Sequence, residues 1–279
     1  MPETTKDLSQ IGQDILLASR NELYLNLPYL DVVLCGLSFQ PGENVTLSLA
    51  TDGQTLYYNG SFLAERYLRG RVLCNRAYLH VLLHCMLRHL AKKYQHAPEL
   101  WDLACDVAVE NLLDELHYPC LEFGLVPIKQ KIYGQCLGAM PVITAEGVYR
   151  WLQKQNYTEY QLAQLQRAFL VDDHGLWAPP EKEQKQRVQQ QDDQWRDRSE
   201  KTRTAMETVL AGEATGGQPI LEQVKVATRD DVDYRAFLRR FAVPREIMAV
   251  DGDGFDYAYY TYGLQLYGNL PLVEYPETK

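Results

Sequence analysis

The chain has 279 residues, of which 46% are hydrophobic and 23% are charged, and its formal net charge is −9. This composition is typical of globular domains and excludes disordered, collagen-like and coiled-coil chains. The negative charge argues against a nucleic-acid partner. The N-terminus lacks the basic and apolar segments of a secretory signal, and no apolar run approaches the roughly 20 residues of a membrane span, so we expect a cytoplasmic protein with no membrane association.

The first quarter of the chain predicts a helix followed by a small β-structure. Apolar residues about one turn apart predict a helix over residues 8–35. Residues 45–58 alternate around a Thr-Asp-Gly-Gln turn, which is the pattern of a β-hairpin. A short helix follows and runs to Arg69, with Ser61 as its predicted capping residue.

Helical patterns dominate the middle of the chain. They predict four helices, over residues 75–94, 99–117, 144–153 and 159–170. Only a short loop, which contains Pro98, separates the first two, so they should pack as neighbours. The expected fold class is therefore α+β and mostly α, with a small sheet or hairpin against a helix pair.

The composition changes after residue 180. Residues 181–218 are almost entirely polar and form either a long solvated helix or a linker, with Val188 and Trp195 as the apolar anchors. Tyr234–Phe241 predicts a basic amphipathic helix. We therefore predict two parts, a domain over residues 1–180 and a charged, helical extension over residues 181–279.

Five of the six histidines lie within residues 80–117, and two of them have the spacing of a metal site. His80 and His84 are four residues apart, which places them about 40° apart on one helix face. Two imidazoles in this arrangement can bind one metal ion. His89 falls on the opposite face, about 180° from His80, and no glycine is available there to break the helix.

The next predicted helix carries an acidic stripe on one face. Asp102, Asp106 and Glu110 recur at four-residue intervals. If the two helices pack antiparallel, His84 lies level with Asp106 to Glu110, so a site of two histidines and one carboxylate can form, with a preference for zinc. The alternative is a solvated helix face, on which acidic residues are common without any ligand.

The residue beside the first histidine argues against peptide hydrolysis. In the motif H-E-x-x-H the glutamate activates the metal-bound water, but this chain has Val81 at that position, and valine cannot accept a proton. Either another base replaces it, with Glu110 as the first candidate and an acid near His174 as the second, or no hydrolysis occurs.

Several segments, in this order along the chain, resemble the bacterial putative metallopeptidase domain that precedes a von Willebrand factor A-like domain. They are AYLHVLLHCMLRH (77–89), LWDLACDVAVENLLDEL (100–116), VDDHGLW (171–177), DYRAFLRRFAVPRE (233–246) and the tyrosine-rich segment 255–279. The resemblance implies a zincin-like fold, with metal ligands at His80, His84 and Asp106. It further implies that the chain stops where an A-like domain would begin, either as part of a longer protein or as a short member of the family, and it implies a MoxR-type AAA+ ATPase as partner.

The segment Asp172-Asp173-His174 offers further candidates. His174 and Asp173 are possible additional metal ligands, and the alternative is a helix stop whose side chains satisfy backbone groups. Two functions follow from these observations. One is a degenerate metal-binding domain that serves as a scaffold or regulatory module beside an ATPase or A-like domain. The other is a zinc-dependent hydrolase that acts on a peptide substrate with a non-standard base.

Overall fold

The computed structural model describes residues 7–124, 126–177, 185–210 and 217–227. The fold class is confirmed as α+β and mostly α, since eleven α-helices and one three-stranded sheet occur in these ranges. The predicted helix over Tyr234–Phe241 and the tyrosine-rich segment lie outside the described residues. Within them, no helix is long and apolar enough to cross a membrane.

The first predicted helix is broken in two. Helix α1 covers Leu8–Asn26 and buries Ile15, Leu16 and Leu23. Pro28 then starts a 3₁₀ turn, Pro28–Leu30, which leads into the short helix α2 at Asp31–Leu34. The prediction of one helix over residues 8–35 is therefore wrong at Pro28, because proline lacks the N–H that would continue the helix.

The predicted hairpin is confirmed. Strands β2 (Leu49–Thr51) and β3 (Thr55–Tyr58) pair antiparallel, and Gly53 takes a positive φ of 88° in the turn between them. Strand β1 (Ser38–Pro41), which the sequence did not predict, pairs parallel with β3 and gives the strand order β1-β3-β2. The apolar side chains of β2 and β3 belong to the same core as those of helix α4 (Arg71–Met86), and the sheet packs on that helix through β2.

Two helices follow the sheet, and the second carries the histidine pair His80 and His84. Helix α3 covers Gly60–Arg69, and its cap is Asn59 rather than Ser61, because Asn59 Oδ1 accepts a hydrogen bond from the amide of Phe62 at 3.1 Å. Helix α4 covers Arg71–Met86 and is buried along its whole length from Cys74 onward. It is therefore the central helix of the fold.

The second half of the described chain surrounds α4 with helices. These are α5 (His89–Lys92), α6 (Pro98–Glu115), α7 (Pro127–Leu137), α8 (Ala145–Leu152), α9 (Glu159–Phe169), α10 (Lys185–Leu210) and α11 (Gln218–Ala227). Helices α8 and α9 lie close to their predicted bounds. Thr144 and Thr158 cap their N-termini and so fix where they begin. Helix α6 contributes to two apolar cores, one shared with α1 and α4 and one shared with α8 and α9.

The polar segment after residue 184 is a helix that is fixed to the core. Trp195 of α10 is buried, and its indole nitrogen donates to the carbonyl of Gly53 at 2.6 Å. Ser199 donates to the carbonyl of Met86 at 2.7 Å. Of the two predicted alternatives, the helix is thus correct, but one of its faces is packed rather than solvated.

A pair of glycine substitutions tests the close approach of α1 and α3. A Cβ atom on Gly60 would lie 2.3 Å from the carbonyl oxygen of Leu8, whereas one on Gly134 of α7 meets nothing within 4 Å. We expect Gly60→Ala to lower the free energy of unfolding by about 1–3 kcal/mol, because the backbones must move apart. Gly134→Ala should raise it by about 0.5–1 kcal/mol through helix propensity. Urea unfolding of both variants measures this difference, and equal effects would contradict the packing described.

Candidate metal centre

Helices α4 and α6 run antiparallel, and this brings their polar residues together in register. Nε2 of His84 lies 3.3 Å from Oδ1 of Asp106, and Nε2 of His80 lies 3.4 Å from the same oxygen. Arg76, one turn before His80, pairs with Asp114, two turns after Asp106, at 2.6 Å. The two histidines therefore lie beside the acidic stripe of α6, at the level that the sequence predicted.

A third element, the segment that follows α9, completes the cluster. Asp173 forms a parallel bridge with Ala50 of β2, and its amide donates to the carbonyl of Leu49 at 2.7 Å. Successive side chains of such an extended segment point to opposite sides. Asp172 and His174 therefore face the helix pair, and Asp173 faces the other way.

The distances show which of these side chains reaches the histidine pair. Oδ1 of Asp172 lies 3.3 Å from Nε2 of His80 and 3.0 Å from Nε2 of His174. His174 Nε2 also lies 3.3 Å from Oδ1 of Asp106. The side chain of Asp173, which was a candidate ligand, instead accepts a hydrogen bond from the amide of Gly175. The structure thus places Asp172 in the cluster in its stead.

The donor atoms in this cluster lie close together and are short of hydrogen-bond donors. Atoms of His80, His84, Asp106 and Asp172 all lie within 4.8 Å of one another, and these four buried residues could hold a metal ion. Nε2 of His80 faces Nε2 of His84 at 2.8 Å. Oδ1 of Asp106 is buried without a hydrogen-bond partner among the described residues. Such a group of converging lone pairs requires a cation, either protons or a metal.

The charges of the cluster are strongly coupled. Burial would raise the pKa of Asp106, but the nearby His174 outweighs it and holds that pKa well below its ordinary value. Burial likewise opposes a charge on His80, yet the carboxylates of Asp106, Asp172 and Glu110 raise its pKa well above the ordinary value. Burial, followed by repulsion from His80, lowers the pKa of His84 to about 4. The carboxylates are therefore ionised, and His84 is neutral near pH 7.

Glu110 lies behind His80, on the Nδ1 side of its ring. Oε1 of Glu110 is 2.7 Å from Nδ1 of His80, and Oε2 accepts hydrogen bonds from Lys129 at 2.6 Å and from Arg76 at 3.2 Å. This contact fixes the ring of His80 so that its Nε2 faces the cluster. The assignment of Glu110 as a catalytic base remains a prediction, while its contacts favour an orienting role.

The other clustered histidines occupy different places. His117 is exposed beyond the end of α6, and His96 stacks on Trp101 with ring centroids 4.0 Å apart. His89 was expected to point away from the pair, but Nδ1 of His89 lies 3.0 Å from Nδ1 of His84. The predicted helix over residues 75–94 ends at Met86, which turns His89 back toward the site. His89, His84 and Cys105 form a second group of potential donors.

A tryptophan covers the cluster on the side of the 171–177 segment. The ring of Trp177 stacks on His174 with centroids 3.7 Å apart and meets the ring of His84 edge-on at 4.8 Å. Lys93 donates to the carbonyl of His174 and to Asp102, both at 2.9 Å, and so fixes this segment against α6. The side chains of the cluster are thus buried, which strengthens the charge interactions within it.

These observations define the class of protein: a mostly helical α+β domain with a buried cluster of histidine and carboxylate groups that could hold a metal ion. The sequence matches the family described as "Putative metallopeptidase domain" over residues 14–253, and the chain belongs to that family. Comparison with curated proteins and with solved structures finds no match. The resemblance of the sequence motifs to a putative metallopeptidase domain is thereby confirmed.

Proposed function

We propose that this domain binds one divalent transition metal ion, preferably zinc, through His80, His84 and Asp106. The observation that carries the proposal is the convergence of two imidazole Nε2 atoms on a buried Asp106 oxygen that has no hydrogen-bond partner among the described residues. Nitrogen and carboxylate oxygen are the donors that zinc takes in proteins. The side chains of Asp172 and His174 contact the same cluster and would complete the set of metal ligands.

We further propose that the domain is not a peptidase and acts as a scaffold or regulatory module in the cytoplasm. A bound zinc ion would supply Lewis-acid chemistry, but hydrolysis also needs a group that takes a proton from water. Val81 is buried in the apolar core and cannot do so. The oxygens of Glu110 already have partners, and Trp177 covers the cluster. The partners that fit this role are an AAA+ ATPase and a von Willebrand factor A-like domain.

One observation favours the alternative of an active zinc peptidase. Oδ2 of Asp172 is buried and has no hydrogen-bond partner among the described residues. If Asp172 bound no metal, this carboxylate could accept a proton in place of the missing glutamate. The substrate would then be a peptide, and Trp177 would have to move away from the site to admit it.

A peptide-library assay with the zinc-loaded chain separates the two functions. We expect no cleavage by the wild type above the level of a metal-stripped control. Cleavage that Asp172→Asn abolishes, with zinc still bound, would support the peptidase and identify Asp172 as its base. Cleavage that Glu110→Gln abolishes under the same condition would instead restore Glu110 to that role.

Glu110 should contribute to metal affinity even if it takes no part in hydrolysis. We expect Glu110→Gln to weaken zinc binding about 10- to 100-fold, because a neutral amide holds the His80 ring less firmly and makes it less basic. Glu65→Gln is the matched control, since Glu65 is exposed and pairs with Arg69 on the neighbouring turn of α3. Competition titration against a zinc indicator measures both affinities. An unchanged affinity in Glu110→Gln would contradict the orienting role.

A further inference from the structure

The helix that carries the histidine pair ends in an unusual backbone conformation. Arg88 has φ 61° and ψ 32°, and it is the one non-glycine residue with positive φ among the described residues. This left-handed conformation is unfavourable for a residue with a side chain. In a continued helix His89 would lie about 140° from His84, and the turn at Arg88 brings the two rings together instead.

Helix α10 supplies the contacts that hold this turn. The guanidinium of Arg88 pairs with both carboxylate oxygens of Asp192, and its Nε donates to Oδ1 at 2.8 Å. Both side chains are largely buried, so the pair is shielded from water. About two turns further along α10, Ser199 donates to the carbonyl of Met86, a group that the end of α4 leaves without a helical partner. The turn is therefore fixed by residues more than 100 positions away in the sequence.

The contact between the two histidine rings has one consistent proton arrangement when His84 binds a metal. Nε2 of His84 faces the cluster, so its proton resides on Nδ1. That proton can only be donated to Nδ1 of His89, 3.0 Å away, which must then be unprotonated and carry its own proton on Nε2. A ligating histidine is usually held in this way by a carboxylate, a carbonyl or a water molecule.

We propose that His89 is a positioning residue for the metal ligand His84, and that the ion pair between Arg88 and Asp192 holds it in place. Helix α10 is then a structural part of the metal site rather than a spacer. This inference rests on the proposed metal site, and its test is arranged so that the two can fail separately.

The test uses cobalt(II) binding to the full chain, with affinity and the visible spectrum of the bound ion as readouts. His89→Leu should weaken binding about 10- to 100-fold and alter the spectrum, because the His84 ring loses its partner. His89→Gln should bind close to the wild type, since its amide oxygen can accept the Nδ1 proton. If the leucine variant does not fold in the presence of a chelator, His89→Ala takes its place with the same expected loss.

The role of α10 is tested by a double-mutant cycle. Asp192→Asn should weaken cobalt binding about 10-fold in the wild-type background, whereas the exposed neighbour Asp193→Asn should have no effect. Glycine adopts the left-handed conformation without strain. Arg88→Gly should therefore keep the affinity that Arg88→Ala loses, and Asp192→Asn should have no effect in the Arg88→Gly background.

Each outcome has a definite meaning. Failure of the wild type to bind cobalt would overturn the proposed metal site itself. Binding by the wild type with unchanged affinity and spectrum in His89→Leu would leave the metal site standing and overturn the role of His89. Two cobalt ions per chain would make His89 a ligand together with Cys105 and would also overturn it. Equal losses from Asp192→Asn in both backgrounds would show that Asp192 does not act through Arg88.

Discussion

Replacing Asp106 with alanine should remove stoichiometric zinc binding, with a loss of affinity of about 100-fold or more. The carboxylate is the point at which the Nε2 atoms of His80, His84 and His174 converge, all within 3.3–3.4 Å. Removing a residue that binds the metal directly should lower the affinity by more than the roughly 10- to 100-fold lost on removing a residue that only supports a ligand. His84→Ala should cause a similar loss, because it removes a second donor from the same set.

Zinc competition titrations and thermal unfolding measure this loss independently. With free zinc at about 1,000 times the wild-type dissociation constant, binding should stabilise the wild type by about 4 kcal/mol, and this gain should fall to about 1.4 kcal/mol or less in either variant. His117→Ala is the matched histidine control, because His117 is exposed beyond the end of α6. Zinc affinity in Asp106→Ala equal to that of the control would contradict the assignment of the site.

Replacing Arg76 with methionine should destabilise the fold by about 3–5 kcal/mol. The guanidinium is buried between the carboxylates of Glu110 and Asp114, and it also donates to the carbonyls of Leu113 and Leu121. Removing one partner of a buried charge network leaves the others without compensation, which costs far more than the network contributes as a whole. Arg69→Met should cost less than about 1 kcal/mol, because the pair of Arg69 with Glu65 is exposed.

The same network predicts the direction of the pH dependence. Burial raises the pKa of Glu110, but His80, Lys129 and Arg76 outweigh it and hold the folded-state pKa well below the ordinary 4.5. A carboxyl group with a lowered folded-state pKa stabilises the fold fully above its ordinary pKa, and this contribution is lost as the pH falls below it. Urea unfolding between pH 7 and pH 3 should therefore show less acid sensitivity in Arg76→Met than in the wild type. Identical slopes would contradict a role for Arg76 in stabilising the ionised carboxylate.

The helix pair and the polar residues that meet between its helices could be predicted because they depend on local periodicity. His80 and His84 share a face through their four-residue spacing alone, and a short loop is enough to make the following helix antiparallel. The level of Asp106 against the two histidines then follows from counting residues outward from the loop. The hairpin could also be predicted, because a single turn motif with alternating apolar and polar residues on both sides specifies it.

The rest of the site depends on contacts between distant parts of the chain. Asp172 was missed because only its bridge to β2 decides which of two adjacent aspartates faces the helices. Residues 171–174 are one valine followed by three polar residues, so no apolar–polar alternation marked this segment as extended. His89 was misplaced because the break at Arg88 involves no glycine and is held by Asp192 of α10. Side-chain contacts across a long separation leave no periodic trace in the sequence.

Elemental analysis of the purified full chain tests most directly whether the cluster around Asp106 binds a metal ion. After equilibrium dialysis against zinc and removal of free metal, we predict close to one zinc ion per chain in the wild type and less than a tenth of that in Asp106→Ala. An equal zinc content in both proteins, or none in either, would contradict metal binding by this cluster.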